Sequence, residues 1–168
     1  MEVLQESELL FTFGEDWIAS RLDERGVPVP HGMAFVDFVV EGVDEIVLIE
    51  VKDPAASRIE EGRRRFASRL AGRELVNEHL APKARDSYTY LHLMRRDAKR
   101  MRLVVVLGID GMSVQEPLLM TLNDRLRQRL RQEGREPWER EYMRSCIVVP
   151  IEKLGDAISG CTAVRIPG

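Results

Sequence analysis

The stretch Phe35-Val-Asp-Phe-Val-Val-Glu-Gly-Val-Asp-Glu-Ile-Val-Leu-Ile-Glu-Val-Lys52 decides the fold, because it has the pattern of a β-hairpin. Apolar and β-branched residues fill both arms, and the acidic and glycine residues between positions 41 and 44 mark the turn. Side chains alternate between the two faces of a strand. Glu50 and Lys52 therefore share one face of the second arm, and Asp37 stands among apolar residues in the first.

The register of this hairpin determines whether the charges meet. If the numbers of opposing residues sum to 87, Asp37 lies directly across from Glu50. Opposing side chains have Cβ atoms roughly 4.5–5.5 Å apart. Two carboxylates at that distance repel each other unless a proton or a cation lies between them. A slip of one residue would move Asp37 to the other face of the hairpin. The sequence alone does not fix the register, and we expect this one because it gathers all the charges at one place.

Two such carboxylates and a nearby ammonium group support one kind of chemistry. Asp37 and Glu50 can hold a hard divalent cation such as Mg2+, which binds substrate phosphate and lowers the pKa of a bound water. Lys52 can orient that water and offset negative charge in the transition state. The sequence therefore predicts a metal-dependent phosphodiester hydrolase with Asp37, Glu50 and Lys52 as its catalytic residues.

The hairpin motif resembles that of the PD-(D/E)XK nuclease superfamily, which includes restriction endonucleases. Val36-Asp37 is followed by Glu50-Val51-Lys52 at the end of an apolar strand, although Val36 replaces the proline of the motif. The resemblance covers roughly residues 12 to 110. It implies an α/β fold with a restriction-endonuclease-like αβββαβ core, in which helices flank a mixed central sheet. It also implies Mg2+ or Mn2+ as cofactor and DNA as substrate, without excluding RNA.

Glu15 has two interpretations. Thr12 to Glu15 fits a capping box, which predicts a helix from about Phe13 to Arg25 that ends at Gly26. The capping role alone explains Glu15. In many nucleases of the resembled superfamily, however, a glutamate on the first helix adds a ligand to the metal site, and Glu15 matches that position loosely.

The remaining segments predict a single domain over residues 1–168. Its nuclease-like core spans about residues 12–110, and a helix–strand extension follows over residues 113–168. We predict helices over about 58–80 and 83–99, separated by Pro82, and a central, parallel strand over 103–109, because that run is apolar without alternation. The extension holds a helix after position 113, a buried strand over 146–150, a short helix over 151–158 and a last strand over 163–166. The leucines that recur between Leu118 and Leu130 either cover the core or supply a homodimer contact.

Basic residues on two of these segments are candidates for contact with nucleic acid. They are Arg63, Arg64, Arg95, Arg96, Lys99 and Arg100. Arginines can grip phosphate oxygens at two points. The arginines of the first segment are partly balanced by Glu60, Glu61 and Glu74, so a solvated helix face explains them equally well.

Composition bounds the remaining choices. The net charge of −3 excludes a strongly basic nucleic-acid binder but not a local basic patch. Two cysteines without a secretory signal at the start predict reduced thiols and a cytoplasmic protein. No apolar run reaches the ~20 residues of a membrane-spanning helix. Two other functions stay open: a nuclease-like fold that binds nucleic acid or protein without cutting, and a small structural protein in which Glu-x-Lys is coincidental.

Overall fold

The computed structural model describes residues 1–24, 29–135 and 137–166. Two β-sheets and a set of helices enclose two apolar cores. The strands are β1 (Glu2–Glu6), β2 (Leu9–Phe13), β3 (Ile18–Arg21), β4 (Phe38–Glu41), β5 (Glu45–Lys52), β6 (Arg100–Leu107), β7 (Ser145–Pro150) and β8 (Thr162–Arg165). The helices are α1 (Glu60–Leu70), α2 (Ala81–Leu93), α3 (Glu116–Glu133) and α4 (Leu154–Ala157). A π-helical segment, Leu75–Leu80, leads directly into α2.

The larger sheet is mixed and has the order β3-β4-β5-β6-β7. Strands β3, β4 and β5 are antiparallel, whereas β6 and β7 lie parallel to β5. The α/β class and the mixed central sheet with flanking helices are therefore confirmed. The prediction of a central, parallel strand over 103–109 is also confirmed, because β6 is paired with parallel neighbours on both sides.

The two faces of this sheet bury different partners. Val39, Leu48 and Leu103 point into a core formed with α2, α3 and the π-helical segment. Phe38 and Ile49, which alternate with them, point into a second core formed with β2 and α4. Burial on both faces explains the continuous apolar run of β6, because each side chain of the strand meets one core or the other.

The first predicted helix is wrong. Residues 13–24 contain the end of β2, a turn at Glu15 and Asp16, and β3; Gly26, the predicted stop, lies outside the described residues. Leu9, Phe11 and Phe13 are fully buried at a period of two, so the strand pattern was present in the sequence. The capping-box motif at Thr12 suggested a helix, but burial of three large apolar side chains on one strand face prevailed.

The smaller sheet has the order β1-β2-β8. It joins residues from the start of the sequence with residues from its end, because β2 pairs with β1 on one edge and with β8 on the other. The last predicted strand is confirmed as β8, and the predicted strand over 146–150 is confirmed as β7.

The helices after the hairpin are shorter than predicted. The helix predicted over 58–80 ends at Leu70, and the amide of Gly72 bonds back to the carbonyl of Arg69 in a turn. Pro82 does not break the next helix. At Ala81 the amide still reaches five residues back, to Val76, so Pro82 falls in the first turn of α2, where its missing N–H costs little. The helix ends at Leu93 rather than near position 99.

Helix α3 confirms the helix predicted after position 113. Leu122, Leu126 and Leu130 are buried against the core, whereas Leu118 is only partly buried. The leucine repeat therefore covers the core, and the homodimer contact stays a prediction. None of the helices in the described ranges combines the length and the apolarity that crossing a bilayer demands.

Candidate metal centre

The predicted hairpin register is confirmed. Phe38 lies opposite Ile49 and Val39 opposite Leu48, so opposing residue numbers sum to 87. Asp37, one residue before β4, consequently lies across from Glu50. Both are buried among apolar neighbours, with 8% of Asp37 and 1% of Glu50 exposed. A solvated face with cross-strand ion pairs would not show this burial.

Asp37 is held at the edge of the hairpin by the backbone of the opposite strand. The amide of Val51 donates a 2.6 Å hydrogen bond to Asp37 Oδ2, and the carbonyl of Asp37 accepts one from Leu22. Burial, and after it the negative charge of Glu50, together raise the pKa of Asp37 to about 7 against the lowering effects of Lys83 and the Val51 amide. Asp37 is therefore poised to exchange a proton near neutral pH.

Glu50 is surrounded by two lysines. Lys52 Nζ lies 2.6 Å from Glu50 Oε1. These two residues form the predicted Glu-x-Lys motif. Lys83 Nζ, from the first turn of α2, lies 3.0 Å from Oε1 and 3.1 Å from Oε2. Burial lowers the pKa of Lys83, but the charges of Glu50 and Asp37 outweigh that effect and raise it, so the ammonium form is retained.

Lys83 is a site residue that the sequence interpretation missed. It follows Glu50 by 33 positions and lies beside a proline that suggested a helix break. The packing of α2 explains the position of Lys83. Ser87 on the same helix accepts a hydrogen bond from the amide of Val36, which fixes α2 against the start of the hairpin. A pattern in the sequence alone does not contain that contact.

Glu6 is the second missed residue. It lies on β1, and its carboxylate accepts a 2.8 Å hydrogen bond from Arg21 on β3. Its charge is close enough to raise the pKa of Asp37, and both residues line an open groove of about 610 Å3. The spacing of Glu2 and Glu6 could have indicated this acidic surface in the sequence, because residues four positions apart in a strand lie on the same face.

Glu15 does not join this cluster. It is exposed in the turn before β3, next to the Ile18 end of the strand. Ile18 pairs with Glu41, whereas Asp37 lies beyond the opposite end, where Arg21 pairs with Phe38. The metal-ligand interpretation of Glu15 depended on a first helix, and the strand that replaces this helix directs Glu15 to the far end of the sheet.

The candidate nucleic-acid residues separate into two groups. Arg63 bonds the carbonyls of Ala55 and Ser57, just after Lys52, and Arg64 is exposed beside it on α1. These two lie at the end of the sheet that carries Glu50 and Lys52.

The other four candidates, Arg95, Arg96, Lys99 and Arg100, lie at the hairpin-turn end of the sheet. Arg96 pairs with Glu41, Lys99 bonds the carbonyl of Gly42, and Arg100 lies beside Glu45 in the register. Glu45 precedes Glu50 by five residues, roughly 17 Å along a strand. The sequence predicted two groups of candidates, with the cluster around Arg95 as the better one, and the fold places the two groups at opposite ends of the sheet.

A second ion-pair cluster fixes the residue after Lys52. Arg165 NH2 lies 2.8 Å from Asp53 Oδ1 and 2.6 Å from Asp110 Oδ1. The hydrogen bond from Arg165 lowers the pKa of Asp110. Gly108 is required here, because a Cβ at that position would overlap Asp53 Oδ1. The cluster connects β8 of the smaller sheet to the end of β5.

The donor set at Asp37 and Glu50 fits a hard divalent cation. Asp37, Glu50 and Glu6 offer carboxylate oxygens, the ligands that Mg2+ prefers, and Glu50 is buried in a site where its charge is now balanced by two ammonium groups. Glu74, Glu78 and His79 have ligand atoms that all lie within 4.8 Å of one another, a spacing that Asp37, Glu50 and Glu6 do not have together. There, Arg69 NH2 already lies 2.7 Å from His79 Nε2 and 3.2 Å from Glu74.

The two cysteines do not form a catalytic site. Cys146 and Cys161 are buried and unlinked. Burial raises the pKa of Cys146 to about 11, and burial likewise raises the pKa of Cys161, so both thiols stay protonated.

A scan of the chain against protein-family models finds no match, and searches of curated proteins and of solved structures find no significant similarity.

Proposed function

We propose that the protein is a divalent-metal-dependent phosphodiester hydrolase that acts on DNA, with a restriction-endonuclease-like arrangement of its catalytic residues. The observation that carries this proposal is the convergence of Asp37, Glu50 and Lys52 at one buried strand end. The chain departs from the resembled core at its start, where the β1–β2 hairpin stands in place of the first helix. The order of three antiparallel strands, helices and a parallel strand supports the remainder of that core.

Asp37, Glu50 and Glu6 would hold the metal. When bound, Mg2+ or Mn2+ would polarise a phosphoryl oxygen and lower the pKa of an attacking water. Asp37 must be ionised to bind a cation, which its pKa of about 7 allows at and above neutral pH.

Lys52 has a separate role in the proposed reaction. Its side chain is 24% exposed, so its ammonium group can reach solvent while it stays in contact with Glu50. From there it can orient a water molecule and stabilise developing negative charge on the phosphate. Arg63 and Arg64 lie at the same end of the sheet, where substrate phosphates would pass.

A second candidate function has its own support. Both oxygens of Glu50 are already in contact with lysines. The groove beside Asp37 carries Glu6, Asp23 and Glu24, and Arg21 is the basic residue among the described residues that line it. An acidic groove repels nucleic acid when no cation is bound. These observations favour a non-cutting module that binds nucleic acid or a protein partner through another surface.

Metal-dependent cleavage separates the two functions. Supercoiled plasmid, single-stranded DNA and RNA are each incubated with the wild type in Mg2+ and in Mn2+, and metal binding is followed by calorimetry with an oligonucleotide present. Asp37→Asn and Glu50→Gln should abolish both cleavage and metal binding. Asp44→Asn and Glu116→Gln make the same chemical changes at exposed positions and should have no effect.

The outcomes are distinct. Cleavage that is lost in the two site variants and kept in the two controls supports the hydrolase. Nucleic-acid binding with neither metal binding nor cleavage supports the non-cutting module and contradicts the hydrolase.

A further inference from the structure

Lys83 occupies the position where a cation is needed when no metal is present. The side chain of Glu50 is 1% exposed, and a buried carboxylate requires a positive partner. Lys83 contacts both of its oxygens, at 3.0 Å and 3.1 Å, whereas Lys52 contacts Oε1 alone. Oε2 of Glu50 therefore has Lys83 as its hydrogen-bond partner.

Lys83 and a divalent cation compete for the same place beside the Glu50 carboxylate. A metal ligated by Glu50 would lie about 2.1 Å from one of its oxygens. Two ammonium groups within about 3 Å of the same carboxylate would then face a double positive charge across a poorly solvated site. One of the three cations must withdraw from Glu50, or metal binding is weakened.

Lys83 is the lysine that is free to withdraw. Lys52 lies on the same strand as Glu50 and two residues away, so its stem is held parallel to the Glu50 side chain. Lys83 reaches across from α2, near the start of that helix, and its side chain is about as exposed as that of Lys52, at 20% against 24%. Rotation about its four-carbon stem takes the ammonium group from Glu50 toward solvent without any change in the backbone.

We propose that Lys83 is an exchangeable cation: it neutralises Glu50 in the metal-free protein, and it transfers to a substrate phosphate when a divalent metal takes its place. The proposal rests on the proposed hydrolase function, because it assigns Lys83 to the substrate of that same site. It makes metal binding and substrate binding cooperative. The metal releases a phosphate-binding ammonium group, and a bound phosphate in turn keeps that group away from Glu50.

The first test is Mn2+ affinity, measured by calorimetry and by electron paramagnetic resonance without substrate. Lys83→Met keeps the apolar stem and removes the charge. At a pH well above 7, where Asp37 is ionised with or without Lys83, Mn2+ should bind more tightly, on the order of tenfold. Lys83→Arg keeps the competing charge and should bind Mn2+ like the wild type. Arg85→Met is the matched control, because Arg85 lies two residues further along α2 and pairs with Asp86 and Glu133 instead.

Thermal unfolding gives a second readout that does not depend on activity. In chelator, Lys83→Met should unfold at a lower temperature than the wild type, because Glu50 has lost one partner. Saturating Mn2+ should raise the unfolding temperature of the variant by more than it raises that of the wild type.

The third test is binding of a DNA oligonucleotide with Ca2+ in place of Mg2+. Lys83→Met should bind more weakly, and the slope of log affinity against log salt should fall by about one phosphate contact. Unchanged or weaker Mn2+ affinity in Lys83→Met overturns the proposal, as does oligonucleotide binding equal to that of the wild type. If the wild type binds no Mn2+ even with oligonucleotide present, the proposed function itself fails, whatever the variant does.

Discussion

The amide of Val51 donates a hydrogen bond to the carboxylate of Asp37 across the open end of the β4–β5 hairpin, at 2.6 Å. This bond holds the Asp37 side chain over the strand that carries Glu50, although Asp37 itself precedes the first residue of β4. The carboxylate is thereby kept close to a second, fully buried carboxylate. The free energy of unfolding therefore depends on whether Asp37 is protonated.

Stability of the metal-free protein should therefore depend on the ionisation of Asp37. The pKa of Asp37 is raised from 3.8 in the unfolded chain to about 7 in the folded protein. Between these two values the folded state binds the proton and the unfolded state does not, so stability falls as pH rises through this window. The full loss is about 4 kcal/mol, since one pKa unit corresponds to roughly 1.4 kcal/mol.

Urea unfolding in chelator between pH 4 and pH 8 measures this effect. Asp37→Asn keeps an acceptor for the Val51 amide and does not titrate, so other groups cancel when the two proteins are compared. The free energy of unfolding of the wild type should decline relative to that of the variant as pH rises. A difference that is flat or that grows with pH would show that Asp37 is ionised throughout.

Glu6, and not Glu15, should affect metal binding. Glu6→Gln removes a carboxylate from the groove beside Asp37, and we expect Mn2+ affinity to fall by about 10- to 100-fold, the range seen when groups around a metal are removed. Glu15→Gln is the matched control, because Glu15 is exposed at the other end of β3. Calorimetry with Mn2+ measures both, and equal affinities in the two variants would exclude Glu6 as a ligand.

The two ends of the sheet should contribute differently to DNA binding. Arg63→Met with Arg64→Met removes charge near Lys52 and should reduce the salt slope of DNA binding by one to two contacts. Arg96→Met with Lys99→Met removes equal charge at the hairpin-turn end and should leave the slope unchanged. Fluorescence anisotropy in Ca2+ at several salt concentrations compares the pairs, and the opposite ranking would assign the DNA surface to the hairpin-turn end.

Arg165 should be required for stability. Arg165→Met leaves Asp53, whose side chain is 2% exposed, without its guanidinium partner, and should cost about 3 kcal/mol of unfolding free energy. Arg73→Met, at an exposed position, should cost less than about 0.5 kcal/mol. Urea denaturation at neutral pH distinguishes them, and a small effect for Arg165→Met would mean that water replaces the guanidinium.

The sequence was sufficient for the hairpin and for the central strand. The expectation that Asp37, Glu50 and Lys52 gather at one place predicted the register of the hairpin, which the apolar pattern alone does not fix because both faces of these strands are buried. The residues of β6 are apolar on both faces of the strand, and this pattern predicted a central strand. These features are local, so they can be read from consecutive residues.

The sequence was not sufficient where contacts join distant segments. Lys83 reaches Glu50 only because α2 packs against the sheet, and Glu6 reaches the groove only because β1 lies beside β3. At Thr12 a local capping pattern competed with strand burial and gave the wrong element. A capping box is worth about 1 kcal/mol, less than the burial of Phe11 and Phe13 together.

The pairing of β2 with β8 has a consequence for synthesis on the ribosome. The strand that completes the smaller sheet, Thr162–Arg165, emerges only after nearly all of the intervening chain has been translated. Until then one edge of β2 stays unpaired, and Asp53 lacks the guanidinium that neutralises it beside Lys52. The corner of the fold that carries Lys52 is therefore completed only after Thr162–Arg165 has been made and has paired with β2.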